Sequence, residues 1–516
     1  MIPMRFFRKL SLNCLFCTTL ITMGCSNGFV ASSPQTSEEP PSQSGPVDTA
    51  INAQLTVTRI SGPAPLAVLF NASSSSHSTN GSLDSFKDFT YSFDAGDNNT
   101  STYATTNGLK RRHSGGPLFA YVYETPRSNP YVAKVRDQDA AGNWNEAQIE
   151  ITVQDPNTVF SGTQTICVGT PLPTAGSGGC PSGAQVSTSL PASSAYSGKR
   201  VLLKRNGSYG SLSLNSNTND TQVGAYGTGS APQLSELSVG AGPSGTAGDH
   251  PSRVVVQDLS ISGNLNGPIS GDDILFLRNT MTGDGNTNVD LAATANGYWR
   301  DNPPGGWNST HFPEPRRIFY FENSMNAAGT YGALIDGALV GNTFNALPPS
   351  QHSLRIWYAI RSVFAHNVMG RVGDSIRHSF KLHSSGVEDC GSQNVNSITS
   401  TQCSTQKVII SNNIFGHVSN SNDWTVALRP ENTTSNQGLE DIITENNTFV
   451  RGSNTSVDLL VVGRRLSSRN NRLSNSSAII SSSGGTSTNS CTGYTLNNSW
   501  CGPYFLNLEA ITPNWP

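Results

Sequence analysis

The sequence predicts an all-β protein built mostly as a solenoid, and three observations carry that prediction. Charged residues fill only 13% of the 516 positions, while glycine numbers 50 and Ser, Thr and Asn are abundant. That balance disfavours helices and suits short strands joined by turns. Second, short apolar runs are interrupted at regular intervals by turn residues. Third, a phrase of the form Asn-x-apolar follows a strand-like run at Asn279, Asn323, Asn342, Asn367, Asn413, Asn447 and Asn471, and again at Asn498. Its spacings are 44, 19, 25, 46, 34, 24 and 27 residues. The short ones cluster near 25, and the long ones read as one coil plus an inserted loop. Such a period marks stacked coils sharing one core, because a single coil cannot bury its apolar face alone. Each Asn is expected inside a tight bend, where it tolerates left-handed dihedrals. Its side-chain amide can then bond the next Asn one coil away.

Before the solenoid come three other segments. Residues 1–25 read as a signal peptide, with Arg5, Arg8 and Lys9 ahead of an apolar run from Leu10 to Met23 and then Gly24-Cys25. That ending resembles a bacterial lipoprotein cleavage site. The resemblance implies lipidation of Cys25 and, with Ser26 following, an outer-membrane or cell-surface destination. Residues 26–51 are Ser-, Pro- and Glu-rich and read as a disordered tether. Residues 52–156 spell short strands in "LTVTRI", "LAVLF", "YVAKV" and "IEITV".

Six cysteines remain once Cys14, Cys17 and Cys25 are set aside. They fall into close pairs, Cys167 with Cys180, Cys390 with Cys403 and Cys491 with Cys501. Three local disulfides formed in an oxidising compartment are expected. A net charge of −3 excludes general nucleic-acid or membrane-surface binding. Membrane attachment is expected only through the lipid anchor, and the mature chain is expected to be a monomer.

Residues 52–156 resemble a PKD domain, on the strength of "SGPAPLAVLFNASSS", "YSFDAGD", "YVYE" and the closing "IEITV". The resemblance implies an Ig-like β-sandwich acting as a spacer or weak binder. Asp94 and Asp97 there could hold calcium, although stabilising a turn is the commoner use of such carboxylates. Residues 160–516 open with "GKRVLLKRNGSYGSLSL" and "VGAYGTGSAPQL". They resemble the right-handed parallel β-helix of the pectate-lyase-like superfamily. That superfamily holds lyases, hydrolases, epimerases, esterases and adhesins, so the fold leaves the activity open.

One doubled phrase stands out within the solenoid. "HSLRIW" (His352 to Trp357) and "HSFKLH" (His378 to His383) lie 26 residues apart, about one coil. Arg355 and Lys381 should therefore stack on adjacent strands, ~4.8 Å apart at the backbone. Alternation sends Leu354, Ile356, Phe380 and Leu382 inward. Ser353, Arg355, Trp357, Ser379, Lys381 and His383 then point outward. Residues 352–383 hold Arg355, Arg361, Arg371, Arg377 and Lys381 against the single acid Asp374. Four of the chain's nine histidines, His352, His366, His378 and His383, also fall there. Repeats repeat, and cations on an exposed sheet are often merely solvated. Like charges in register nevertheless cost a few tenths to ~1 kcal/mol, a cost natural where an anion lies between them. An inserted loop with Trp299 and Trp307 offers rings for stacking on sugar faces, or for packing onto the solenoid. "TVALRPEN" brings Arg429 and Glu431 to the same groove by equal 46-residue steps.

These features point to an anionic polysaccharide as partner. β-Elimination on a uronic acid needs the C6 carboxylate neutralised, a base for the C5 proton and an acid for the leaving oxygen. In the β-helix lyases that this chain resembles, Lys and Arg on the helix face play such roles, often with calcium. The expected catalytic set is Lys381 as base, Arg355 as carboxylate clamp, and His352, His378 or His383 as proton donor or second base. Trp357, Arg361, Arg377, Arg429, Glu431, Trp299 and Trp307 are expected to contact substrate. Calcium is left open, since no dense acidic cluster accompanies the cations. Two other readings remain. A polygalacturonase-type hydrolase would use Asp272 and Asp273, but that group's Gly-His-Gly and Arg-Ile-Lys partners are missing. A non-catalytic glycan binder would need only the cations. Nucleophilic-serine, zinc-peptidase and phosphate-loop signatures are absent.

Overall fold

The computed structural model describes residues 46–473, apart from 87, 104–107, 215–217, 241–250, 264, 267–270, 283–288, 292–315, 328, 347–351, 371–377, 385–404, 417–424, 431–438, 450–458 and 462. The expectations for Cys25, Cys390–Cys403, Cys491–Cys501 and Asn498 lie outside the described residues.

The chain is all-β, a small β-sandwich followed by a parallel β-helix. Among the described residues, 28 solenoid strands from Thr165–Val168 to Arg472–Leu473 join into one continuous parallel sheet wound into three faces. The first face stacks strands such as Asp272–Leu277, Arg316–Phe321, Gln406–Ser411 and Leu439–Glu445. Thr280–Thr282, Ser324–Ala327 and Thr343–Ala346 lie on the second. The third stacks Thr330–Ile335, the first half of His352–Ala365, His378–Ser384 and Val426–Pro430. Inward side chains of all three faces form one long core, including Ile274, Phe276, Phe344, Leu354 and Phe380.

Two corners fix the winding. At the corner between the first and second faces the recurring asparagines form a ladder. Asn279, Asn323, Asn342, Asn367, Asn413 and Asn447 each donate Nδ2 to the Oδ1 of the next, at 2.8–3.1 Å, ending at Asn471. Each also bonds a carbonyl below it, as Asn342 does to Tyr320 at 2.9 Å. These buried amides are thus satisfied at both ends. One detail corrects the expectation. The left-handed residue is the one before each Asn, as in Arg278, Glu322, His366, Asn412, Asn446 and Asn470. That residue makes the bend, and the Asn then turns its amide beneath it.

The corner between the third and first faces is built from charge. Asp220, Arg253, Asp273, Arg317, Asp336, Arg361, Lys407, Asp441 and Arg465 all carry positive φ there. Ion pairs link Arg253 with Asp220, Arg317 with Asp273, Arg361 with Asp336 and Arg465 with Asp441.

The sandwich pairs a five-stranded sheet with a three-stranded one over a core of Val68, Phe70, Phe93, Tyr121, Tyr131 and Val135. Its carboxylates serve turns. Asp94 accepts from Gly96 N–H at 2.9 Å and Asp97 from Asn99 N–H at 3.2 Å. The three-stranded sheet is apolar on both sides. Its outer residues Ala67, Leu69, Leu118, Ala120 and Val122 pack on outward side chains of the first solenoid face, among them Leu275, Phe319, Phe321, Ile409 and Ile443. Lys110 with Glu322, Glu124 with Arg278 and Asp84 with Arg465 pair across the joint. The Cys167–Cys180 disulfide closes at the first coils, with the Cα atoms 6.0 Å apart.

Candidate functional site

The third face holds the doubled phrase. Leu354 pairs with Phe380 and Ile356 with Leu382, and all four are fully buried in the core. Strict alternation then turns their neighbours outward. One outward column runs Tyr331, Arg355, Lys381, Ala427 in adjacent register. Arg355 and Lys381 are direct partners, and His383 pairs with Arg429 one step along. The strands thus bring Arg355, Lys381, His383 and Arg429 together. Tyr331 completes the column. It went unnoticed in the sequence because "GTYGAL" lacks the leading His-Ser, although counting back from Arg355 along the coil reaches it.

Arg355 is held from two sides. Its guanidinium carbon lies 3.9 Å from the centre of the Trp357 ring. Its Nε donates to His383 Nε2 at 3.2 Å. The Trp357 and His383 rings are themselves stacked, with centroids 5.8 Å apart and planes 24° apart. The Arg355 bond uses the Nε2 lone pair, so the neutral His383 ring carries its proton on Nδ1. Thr405 ties the strand ends, accepting from Ala359 N–H at 3.1 Å and donating to the His383 carbonyl.

A bulge produces this arrangement. Gly332 pairs with Ile356 and Leu334 with Ala359, so Trp357 and Tyr358 together face Ala333. A bulge re-aims side chains locally. Here it tucks Trp357 and Tyr358 against Ala333, Ile335 and Ile360. Trp357, expected to contact substrate, is only 8% exposed and carries Arg355 on its face. Its ring lies against the guanidinium.

The histidines divide. His383 belongs to the outward set, whereas His352 and His378 share the parity of Leu354 and Phe380. Those two rings stack on each other at 5.2 Å. Burial holds the His352 pKa far below the usual imidazole value. The neighbouring cations Lys381 and Arg355 and the imidazoles of His378 and His383 lower it further. The neutral form of the His352 ring is thus favoured. Lys381 is 8% exposed and seated against the sheet.

Other expected residues fall elsewhere. Arg361 sits at the charged corner, bidentate on Asp336 at 2.5 and 2.8 Å, away from the outward column. Asp272 and Asp273 both pair with Arg317 at that same corner, so they do not face each other across a substrate groove. Arg377, Glu431, Trp299 and Trp307 lie outside the described residues.

The column neighbours of Arg355 and Lys381 among the described residues are Tyr331 and Ala427, neither of them a carboxylate. Among the described residues, Asp48, His77 and Asp139 bring possible ligand atoms within 4.8 Å of one another on the sandwich. His77 Nδ1, however, accepts from Asn80 N–H at 3.2 Å. That puts the ring proton on Nε2, which faces Asp48 Oδ2 at 3.7 Å in ion-pair geometry. A ligating nitrogen would need that lone pair. Compared with protein families, with curated proteins and with solved structures, the chain matches none.

Proposed function

We propose that the third face binds the carboxylates of an acidic polysaccharide and that the protein cleaves it by β-elimination. The observation supporting this reading is the direct register of Arg355 and Lys381, with the guanidinium held between Trp357 and His383. A held guanidinium loses little freedom when it clamps a C6 carboxylate, and neutralising that group acidifies the C5 proton. Lys381, the adjacent amine, takes that proton. Tyr331, the neighbour of Arg355 on the other side, protonates the leaving oxygen. Arg429 extends the cationic strip toward the next acidic sugar. The protein works outside the cytoplasm, anchored through Cys25 and acting as a monomer. The Cys167–Cys180 disulfide fits an oxidising compartment.

The test is incubation of the purified protein with alginate, pectate and glycosaminoglycans, with and without calcium, following ultraviolet absorbance of the unsaturated uronyl product. Growth of that absorbance on one polymer is expected. Reducing ends without it would replace elimination by hydrolysis. Retention on an anionic-glycan column with neither product would leave a binding protein, a reading favoured by the near-burial of Lys381.

A further inference from the structure

The joint between sandwich and solenoid contains one histidine from each side. His113 lies on the sandwich strand Arg112–Gly115, and His366 sits at the solenoid corner just before the ladder residue Asn367. They are 6% and 7% exposed. The His366 ring stacks on Tyr103 of the sandwich with centroids 4.6 Å apart. Gly108 of the sandwich presses so closely that a Cβ there would come within 2.5 Å of His366 Cε1. His113 lies parallel to Phe119, with planes 6° apart. Leu118, Val363, Ala365 and Ile409 add hydrocarbon to the joint.

We propose that this joint is an acid-released latch: the sandwich seals the apolar first face at neutral pH and loosens from it in mildly acidic surroundings. The physical basis is the cost of placing a charged imidazole in a dry, apolar contact. Burial pushes His113 down to about 4 and His366 down to about 3, the latter also opposed by His113.

Other titratable and charged groups also meet at the joint, among them Asp441 and Glu440 beside Arg465. The Tyr103 phenol is held neutral, its pKa raised by burial and by Glu322. Lys110 pairs with Glu322 and lies 5.5 Å from the Tyr103 ring centre. Glu445 Oε1 accepts Gly116 N–H at 3.0 Å. Arg112, next to His113, pairs with Asp94. Arg278 pairs with Glu124 and Arg465 with Asp84 at the rim. Free carboxylates titrate near pH 4, but burial raises Asp137, on the sandwich strand Tyr131–Gln138, to about 7, so the histidine double variant is what separates its titration from theirs.

The sign follows from linkage. Once the joint opens, each ring meets water and returns toward the ordinary imidazole value of about 6.5. Between that value and the depressed ones, the open form binds protons that the closed form cannot. Docking is therefore strongest above pH 6.5 and weakens as pH falls. At pH 5 each histidine lowers the docking constant about 30-fold, and the two together about a thousandfold.

The test uses the full chain. Amide hydrogen exchange, corrected for its intrinsic pH dependence, is measured across strands Leu66–Asn71, Leu118–Tyr123 and Arg316–Phe321 from pH 7.5 to 5. Protection should drop toward pH 5 in the wild type. It should stay level in the double variant His113→Phe, His366→Asn, where Asn tolerates the left-handed corner. Unchanged protection in the wild type, or an equal loss in the double variant, overturns the latch. If the variant does not fold, C2-hydrogen exchange of each wild-type histidine, read by mass spectrometry, decides. Slow, low-pH titration of His113 and His366 supports the latch, and ordinary titration near 6.5 overturns it.

Discussion

The first and third faces share one core, yet their outward columns have opposite chemistry. Outward from the first face stand Leu275, Leu277, Phe319, Phe321, Ile409 and Ile443, all covered by the sandwich. Outward from the third stand Tyr331, Arg355 and Lys381, with His383 and Arg429 beside them. A stacked coil sets only the spacing of what it displays, about 4.8 Å per rung. What it displays decides whether the face suits another domain, as the first does, or an anion, as proposed for the third. The first face uses apolar area, which is non-directional and needs a large matching surface. The third uses a few held cations, which suit a narrow, charged chain.

The comparison breaks first at Lys381. Lys381→Ala should lower kcat/KM on the responsive polymer about 10³-fold, the usual scale for losing a general base. Circular dichroism and the melting transition should be unchanged, since neither the core nor the ladder is touched. If activity survives within a few-fold, Lys381 is not the base. The matching change on the first face is Phe319→Ala. Phe319 is 1% exposed between the two domains. The loss should be about 3 kcal/mol of stability, read by denaturant unfolding. Exposure of the joint should appear as faster proteolysis, with the proposed activity on the polymer kept.

Much of this was legible in the sequence. Counting Asn-x-apolar located all seven described ladder residues, and the 26-residue echo placed Arg355 beside Lys381. Three things were not legible, each for a physical reason. "DDILFL" and "RRIFYF" are apolar without alternation, which by itself marks a strand buried on both faces but does not name the cover. The bulge at Trp357 breaks the alternation used to turn that ring outward. The charged corner mixes Asp272, Asp273 and Arg361 into what looked like two sites, because ion pairs formed across coils leave no local signature in a linear reading.

The corner ladder offers a smaller perturbation, shared by both faces. Asn342 is fully buried and bonds Asn367, Tyr320 and Asn323. Asn342→Ala strands the Tyr320 carbonyl and the Asn323 amide without partners, a loss of about 2 kcal/mol by denaturant unfolding. Smaller again is Trp357→Leu, which removes the ring beneath Arg355. A partly exposed cation–π contact is worth about 1 kcal/mol, so substrate affinity should fall about fivefold with the fold intact. Trp357→Phe should recover part of it, which a purely structural role for the ring would not predict.

The smallest expected effect is the most discriminating between site and scaffold. Arg355 and Arg361 lie six residues apart on one strand, His352–Ala365, and both were expected to contact substrate. The bulge and the corner separate their fates: Arg355 faces the column, while Arg361 adopts positive φ and closes on Asp336. The hydrogen bond and charge of Asp336 raise the Arg361 pKa against the opposing effect of burial, so its charge is already matched. Arg361→Ala should therefore leave polysaccharide binding within about twofold, since a matched, half-exposed pair contributes at most ~1 kcal/mol and only to stability. Arg355→Ala, measured beside it on an anionic-glycan column, should lose retention outright. Equal losses from both substitutions would mean that the whole strand, corner included, lines the groove, and the boundary drawn here between display and scaffold would have to move.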